Sequence, residues 1–186
     1  MLVVGIDPGS KDGRIAVLEY RNNNHCLRFE DIPLTRAAGP FKFDFKGMVK
    51  LLQLLGSREP IDMVALEEPP IAGIIGSPKT MRTQTASWLL WWAALTYLDI
   101  PHLVVKPEVW RSSIGVANWS QRKDKNEKLR NMKRKSTDVK PDVWATVRAR
   151  FPTCPEFQQR YSYTKSGYSD ATGLALHALA AVRIYE

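Results

Sequence analysis

Hydrophobic residues along the chain alternate between two periods. Leu2 to Ile6 is an unbroken apolar run stopped by Asp7-Pro8-Gly9-Ser10, the pattern of a buried strand meeting a tight turn. Arg14 to Tyr20 and Cys26 to Ile32 flank Asn22-Asn23-Asn24 and predict two further strands of an antiparallel meander. The period then lengthens. Met48, Leu51, Leu52 and Leu55 fall on one face of a helix over Lys46 to Leu55, with Gly56 as its stop signal, and Met63 to Leu66 returns to strand character before Glu67-Glu68-Pro69-Pro70. Thr83 to Leu98 is again helical, with Trp88, Trp91, Trp92 and Leu95 on one side. Leu103 to Val105 is a fifth strand, and Pro107 to Ser113 is a short helix with proline in its first turn. Helices over Pro141 to Phe151 and Ser169 to Ile184 complete the chain. A meander followed by alternating helices and strands predicts an α/β layered sheet with helices packed over it, and 186 residues predict a single domain.

Composition narrows the chemistry. With 44% apolar residues the chain has enough core to fold, and its two cysteines, Cys26 and Cys154, build neither a disulfide framework nor a four-thiolate zinc site. Both are expected to be small buried thiols of a reducing compartment. The most apolar stretch, Ala86 to Leu98, is too short to span a bilayer, and the first residues lack the basic region and cleavage site of a signal peptide. No membrane association is expected.

The formal charge of +8 is concentrated. Residues 121–140 carry nine basic and three acidic side chains, whereas the other 166 residues carry 18 and 16. A block of this kind suits a polyanion, whose counterions are released on neutralisation. A solvated loop or a localisation signal would look the same from charge alone.

Three carboxylates stand at element ends. Asp7 ends the first strand, Glu67 ends the central strand, and Asp170 opens the last helix. Singly, each has a plain explanation as an Asx turn, a lysine partner or a helix N-terminal charge. Together they suit Mg²⁺, a hard cation that takes oxygen ligands from few carboxylates and leaves room for water and phosphate. Two such ions can support phosphodiester hydrolysis. His25, His102 and His177 are scattered and form no zinc or triad spacing.

These residues carry a resemblance. Val3 to Ser10 followed by Ile15-Ala16-Val17, Val64 to Glu67, Val105 to Arg111 ending in Ile114-Gly115, Lys140 ahead of Phe151-Pro152, and Ser169-Asp170-Ala171 occur in the order seen in RuvC-type Holliday-junction resolvases. The sequence is similar to the compact phage and chloroplast members of that family within the RNase H-like superfamily. The resemblance implies a five-stranded mixed sheet flanked by helices, a homodimer, and an endonuclease that resolves four-way or branched DNA. It implies Asp7, Glu67 and Asp170 as ligands of two Mg²⁺ ions, with Mn²⁺ able to substitute, and Lys140 as a further catalytic residue. Lys106, Arg111 and Lys140 would contact DNA, joined by Arg122, Lys123, Lys125, Lys133, Arg134 and Lys135 of a basic insertion at about 116–135. No nucleotide cofactor is implied, and the setting would be intracellular and DNA-associated, in a bacterium, a phage-infected cell or an organelle.

Two departures stand out. The family has a fourth acidic or histidine ligand three or four residues before the position of Asp170, where this chain has Ser166 and Gly167. In the other register Gly173 stands in place of the second carboxylate, and water, Glu68, Ser169 or His177 would substitute. The insertion is also longer than the family's usual connection. Competing expectations are a junction-binding protein with weakened catalysis, a nuclease of RNA–DNA hybrids, and a nucleotide-binding actin-like fold. The last is disfavoured by the absence of a second lobe and a second phosphate loop.

Overall fold

The computed structural model describes residues 1–9, 13–22, 24–35, 43–69, 78–116, 140–160, 162 and 166–185. Five strands form one mixed sheet in the order β3-β2-β1-β4-β5. They are β1 (Leu2–Ile6), β2 (Ile15–Arg21), β3 (Asn24–Glu30), β4 (Met63–Glu67) and β5 (His102–Val105). The first three are an antiparallel meander, and β4 and β5 add on parallel to β1. Six helices are described: α1 (Phe45–Leu55), α2 (Pro78–Tyr97), α3 (Pro107–Ser113), α4 (Lys140–Arg150), α5 (Pro155–Gln158) and α6 (Ser166–Tyr185). This is the five-stranded mixed sheet flanked by helices that the sequence resemblance implied.

The central strands are apolar on both faces because both faces are covered. Leu2, Val4, Ile6, Ile15, Val17, Val64 and Leu66 pack with Met48 and Leu52 of α1 and Trp91 and Leu95 of α2. On the opposite face Val3, Ala16, Leu18 and Ala65 meet Trp110 of α3, Val143, Trp144 and Val147 of α4, and Ala171, Leu174 and Ala178 of α6. Side chains alternate between faces along a strand. Hence the odd positions of β1 and β4 look toward α6, and the even ones toward α1 and α2.

Two helices start earlier than the sequence predicts. Helix α2 starts at Pro78 instead of Thr83, and α6 starts at Ser166 instead of Ser169. Ser166 and Ser169 are both buried, and the Ser169 hydroxyl donates to the Ser166 carbonyl at 2.8 Å, so serines that look like loop punctuation sit inside a docked helix. Strands β2 and β3 also extend to the Arg21–Asn24 pair, with Asn22 in the left-handed region at φ 50°. Cys26 corrects a prediction: it is exposed, in the exposed first residues of the edge strand β3. Cys154 is buried, its thiol 3.0 Å from the Glu156 carboxylate, and desolvation raises its pKa to about 12. The basic insertion, including Arg122, Lys123, Lys125, Lys133, Arg134 and Lys135, lies outside the described residues.

One contact sets the position of α6. A Cβ on Gly5 would stand 2.0 Å from the Ala171 carbonyl oxygen, 2.4 Å from the Ala175 nitrogen and 2.9 Å from Leu174 Cβ. Helix backbone therefore rests directly on β1, and any side chain at residue 5 must lift it. Gly5→Ala is expected to destabilise the protein by about 3 kcal/mol, at the upper end of overpacking costs because backbone cannot swing aside. Gly56→Ala, whose nearest neighbour would be 3.5 Å away, should change stability by less than about 1 kcal/mol. Urea midpoints of the two variants compare them directly; equal midpoints would contradict this account of α6 docking.

Candidate active site

Register and alternation bring the carboxylates together. Ile6 pairs with Leu66 across the parallel β1–β4 ladder, so Asp7 and Glu67 leave the carboxyl ends of adjacent strands side by side. Both occupy odd positions and project toward α6. Glu68, one residue on, belongs to the other face, and its backbone N–H donates to the Val105 carbonyl at 2.9 Å. The Gly5 contact lays the first turns of α6 over the same strand ends, placing Asp170, 3% exposed, in the group. Asp170 is the fifth residue of its helix, which starts at Ser166 and not at Ser169.

Asp7 is held by two backbone bonds. Its N–H donates to the Arg14 carbonyl at 3.0 Å, and its Oδ1 accepts from the Gly9 N–H at 3.1 Å. The Asx-turn explanation is thus correct as geometry, and it orients the carboxylate. Glu67 is half-buried. Desolvation first, then the negative charges of Asp7 and Asp170, drive its pKa well above the ordinary carboxylate value, against the opposing pull of Arg111 and Lys140.

Lys140 begins α4. Its Nζ lies 3.1 Å from Asp170 Oδ2 and donates to Ser166 Oγ at 2.8 Å. Asp170 Oδ1 is buried without a hydrogen-bond partner. Arg111, on α3, stacks its guanidinium over Trp110 at 5.1 Å and keeps a buried Nε without a partner. Lys106 is the exposed N-cap residue of α3, directly after β5, at the same end of the sheet.

Packing explains the glycine at residue 173. A Cβ on Gly173 would meet Trp110 Cζ3 at 2.4 Å, so residue 173 is a helix-packing position under an indole, with no room for a carboxylate. His177 stands seven residues beyond Asp170, about 10 Å along the helix, with its Nδ1 2.8 Å from Ser113 Oγ, and the Ser169 hydroxyl donates its proton to the Ser166 carbonyl. What stands beside Asp170 is Ser166, bonded to Lys140. Sequence reasoning also missed Arg14 and Tyr168. The Arg14 guanidinium lies over the Tyr168 ring at 5.0 Å, with its Nε 3.5 Å from Asp31, on the rim where β2 starts. A lone arginine after a turn carries no signal in sequence, since its stacking partner lies near the other end of the chain.

Among the described residues no three carboxylate, imidazole or thiolate groups close on one point. Asp7, Glu67 and Asp170 form an open cluster with a cation on the Asp170 arm. The donor set nevertheless fits a hard divalent ion: oxygen ligands only, a buried Asp170 oxygen lacking a partner, and a Glu67 carboxyl forced toward its neutral form by burial and like charge. Such an ion would relieve both costs.

No protein-family model and no curated protein sequence matches the chain. Solved structures do. Thermus thermophilus RuvC in complex with Holliday junction substrate superposes with a TM-score of 0.64 at 16% identity, over 99% of this chain and 96% of that one. The fowlpox virus Holliday junction resolvase gives 0.53 at 16% identity, over 98% and 99%. The yeast mitochondrial Holliday junction resolvase gives 0.50 at 13% identity, over 93% and 76%. The chain therefore has the RNase H-like fold of these resolvases.

The raised pKa of Glu67 makes a signed prediction. A carboxyl that is harder to ionise in the folded state contributes full stability while protonated, and that stability is lost as pH rises from the ordinary value of 4.5 through the raised one. In EDTA at pH 8, Glu67→Gln should therefore melt above wild type, by about 2–4 °C for each kcal/mol of penalty removed. The gap should close near pH 4.5. A Glu67→Gln variant that melts below wild type at pH 8 would show that the carboxylate is not destabilised there.

Proposed function

We propose that the protein is a Mg²⁺-dependent, structure-selective endonuclease that resolves four-way or branched DNA by phosphodiester hydrolysis. The observation that carries this reading is the meeting of Asp7, Glu67 and Asp170 at one end of the sheet, with Lys140 and Arg111 in the same electrostatic field. The shared fold with three Holliday junction resolvases supports the junction as substrate. Asp7, Glu67 and Asp170 would hold the metal, which when bound supplies Lewis acidity toward phosphate and lowers the pKa of water.

The chain's own residues do the rest. Lys140 and Arg111 oppose the negative charge that builds on the phosphate oxygens as the bond breaks, and they do so from fixed positions. Lys106 and Arg14, on the rim, suit the phosphates on either side of the scissile one. The charge block containing Arg122, Lys123, Lys125, Lys133, Arg134 and Lys135 supports a wider, sequence-independent grip on the arms.

A homodimer belongs to the same proposal, because two strands must be cut in a substrate with two-fold symmetry. The outer face of α2 supports it. Leu89 and Trp92 are 47% and 42% exposed, and Trp92 stacks on Trp88 at 6.3 Å, a large aromatic surface of the kind enriched at interfaces.

On a synthetic four-way junction with Mg²⁺, wild type should produce symmetrically nicked duplexes, and Asp7→Asn should cut slower by at least about 10²–10³-fold, the range seen when one electrostatic stabiliser is removed. Wild-type-like cutting by Asp7→Asn would remove Asp7 from the site, and preferential cutting of an RNA–DNA hybrid would favour a hybrid nuclease instead. Trp92→Glu should sediment as a monomer at micromolar concentration and nick the two strands without coordination. A dimeric Trp92→Glu would place the interface elsewhere.

A further inference from the structure

On the reading above, the site is expected to need cations, and one is already built into the chain. We propose that the Lys140 ammonium, seated between Asp170 Oδ2 and Ser166 Oγ, takes the place of one of the two divalent ions, so that each chain binds a single Mg²⁺. Ser166 is the positioning residue for that ammonium. This inference rests on the metal-dependent reading and revises the two-ion expectation drawn from sequence.

The first argument is charge. When ionised, Asp7, Glu67 and Asp170 carry three negative charges, and Lys140 and Arg111, both within the field of Glu67, carry two positive ones. One divalent ion leaves the cluster with a single positive charge, which one incoming phosphodiester neutralises. A second divalent ion would raise this to three positive charges, two of them uncompensated once the phosphodiester binds, in a site whose lysine side chain is only 23% exposed. Like charges in a partly desolvated site repel far more than in water.

The second argument is the donor inventory. Mg²⁺ requires a near-octahedral shell of oxygens and takes at least one or two from carboxylates. Of the two Asp170 oxygens, Oδ2 is bonded to Lys140 and only Oδ1 is without a partner. Ser166 contributes a neutral hydroxyl whose oxygen already accepts from Lys140. Trp110 fills the space at Gly173, and His177 stands seven residues beyond Asp170, about 10 Å along the helix. Of the Asp170 carboxylate, then, one oxygen is left for an ion and the other is held by an amine.

The third argument is geometric. Lys140 and Ser166 lie 26 residues apart and on different helices, and the bond between them is partly buried. A lysine that merely reached the surface would leave its ammonium in water, since a flexible four-carbon stem favours hydration of its head. Here Asp170 Oδ2 and Ser166 Oγ hold it against the carboxylate.

The test counts ions on the full chain without DNA. Mn²⁺ added to metal-free protein is followed by the electron paramagnetic resonance signal of the free ion, and wild type should saturate at one Mn²⁺ per chain. Lys140→Met should bind its first Mn²⁺ about tenfold more tightly or better, because a competing cation is gone, and should acquire a second ion. Lys140→Arg, which keeps the charge, should stay at one. Two ions per wild-type chain, or a Lys140→Met variant with unchanged affinity and count, would overturn the inference while leaving the metal-dependent reading intact. Absence of Mn²⁺ binding in wild type would instead overturn the reading on which the inference rests. As a second readout, the Mg²⁺ dependence of junction cutting should follow a Hill slope near 1 in wild type; a slope near 2 also overturns the one-ion proposal.

Discussion

The bare-backbone contact between α6 and β1 at Gly5 is the constraint from which the site follows. Because no side chain intervenes, the first turns of the helix lie against the carboxyl end of the central strand, and the Asp170 carboxylate reaches the strand ends. A second close approach, Trp110 against Gly173 on the same helix, fixes α3 and thereby carries Arg111 into the group. Each glycine weakens its element intrinsically, by the backbone entropy it loses on folding. The gain is steric: at both positions a partner fills the volume that a Cβ would occupy.

The cluster assembled in this way is electrostatically unfavourable by itself. Two acidic side chains crowd a third that is already partly desolvated, and the cost shows as the upward shift of Glu67. Lys140 and Arg111 offset part of it, yet an Asp170 oxygen and the Arg111 Nε remain buried without partners. The two cores on either face of the sheet, built around Trp91 and Trp110, keep the strands and helices in place despite this local conflict. Like charges crowded together in a partly desolvated place, with cations of opposite sign beside them, are characteristic of a site that a ligand completes.

Most of the fold was legible because its signals are local. The apolar runs, the Asn-rich turn and the helical spacing of Leu51, Leu52 and Leu55 marked the elements, and Asp7 and Glu67 stood out because strand ends are where an acidic residue needs a reason. Even the choice of Glu67 over Glu68 follows from alternation alone. The bond between Lys140 and Ser166 was not legible, since the Nζ to Oγ contact depends on how α4 and α6 cross, and the sequence between them has no periodicity that reports a crossing. Gly173 looked like a missing ligand for a related reason: only the position of Trp110 shows that the space is taken. Cys26 was misjudged because small apolar character predicts burial on average and says nothing of which strand lies at an edge.

The fold and the site carry different weights in the functional argument. At 13–16% identity the shared architecture establishes how the chain is arranged, and one arrangement hosts many chemistries. The chemistry must come from the residues, and here they oppose one another in a useful way. A carboxylate cluster repels a phosphodiester, whereas the cations beside it and on its rim attract one. On the proposed reading, a divalent ion tips this balance, so metal raises the affinity of the site for phosphate and phosphate raises its affinity for metal by the same factor. Lys140 sets the starting point of that balance, because a cation that cannot leave holds the site nearer to neutrality in every state.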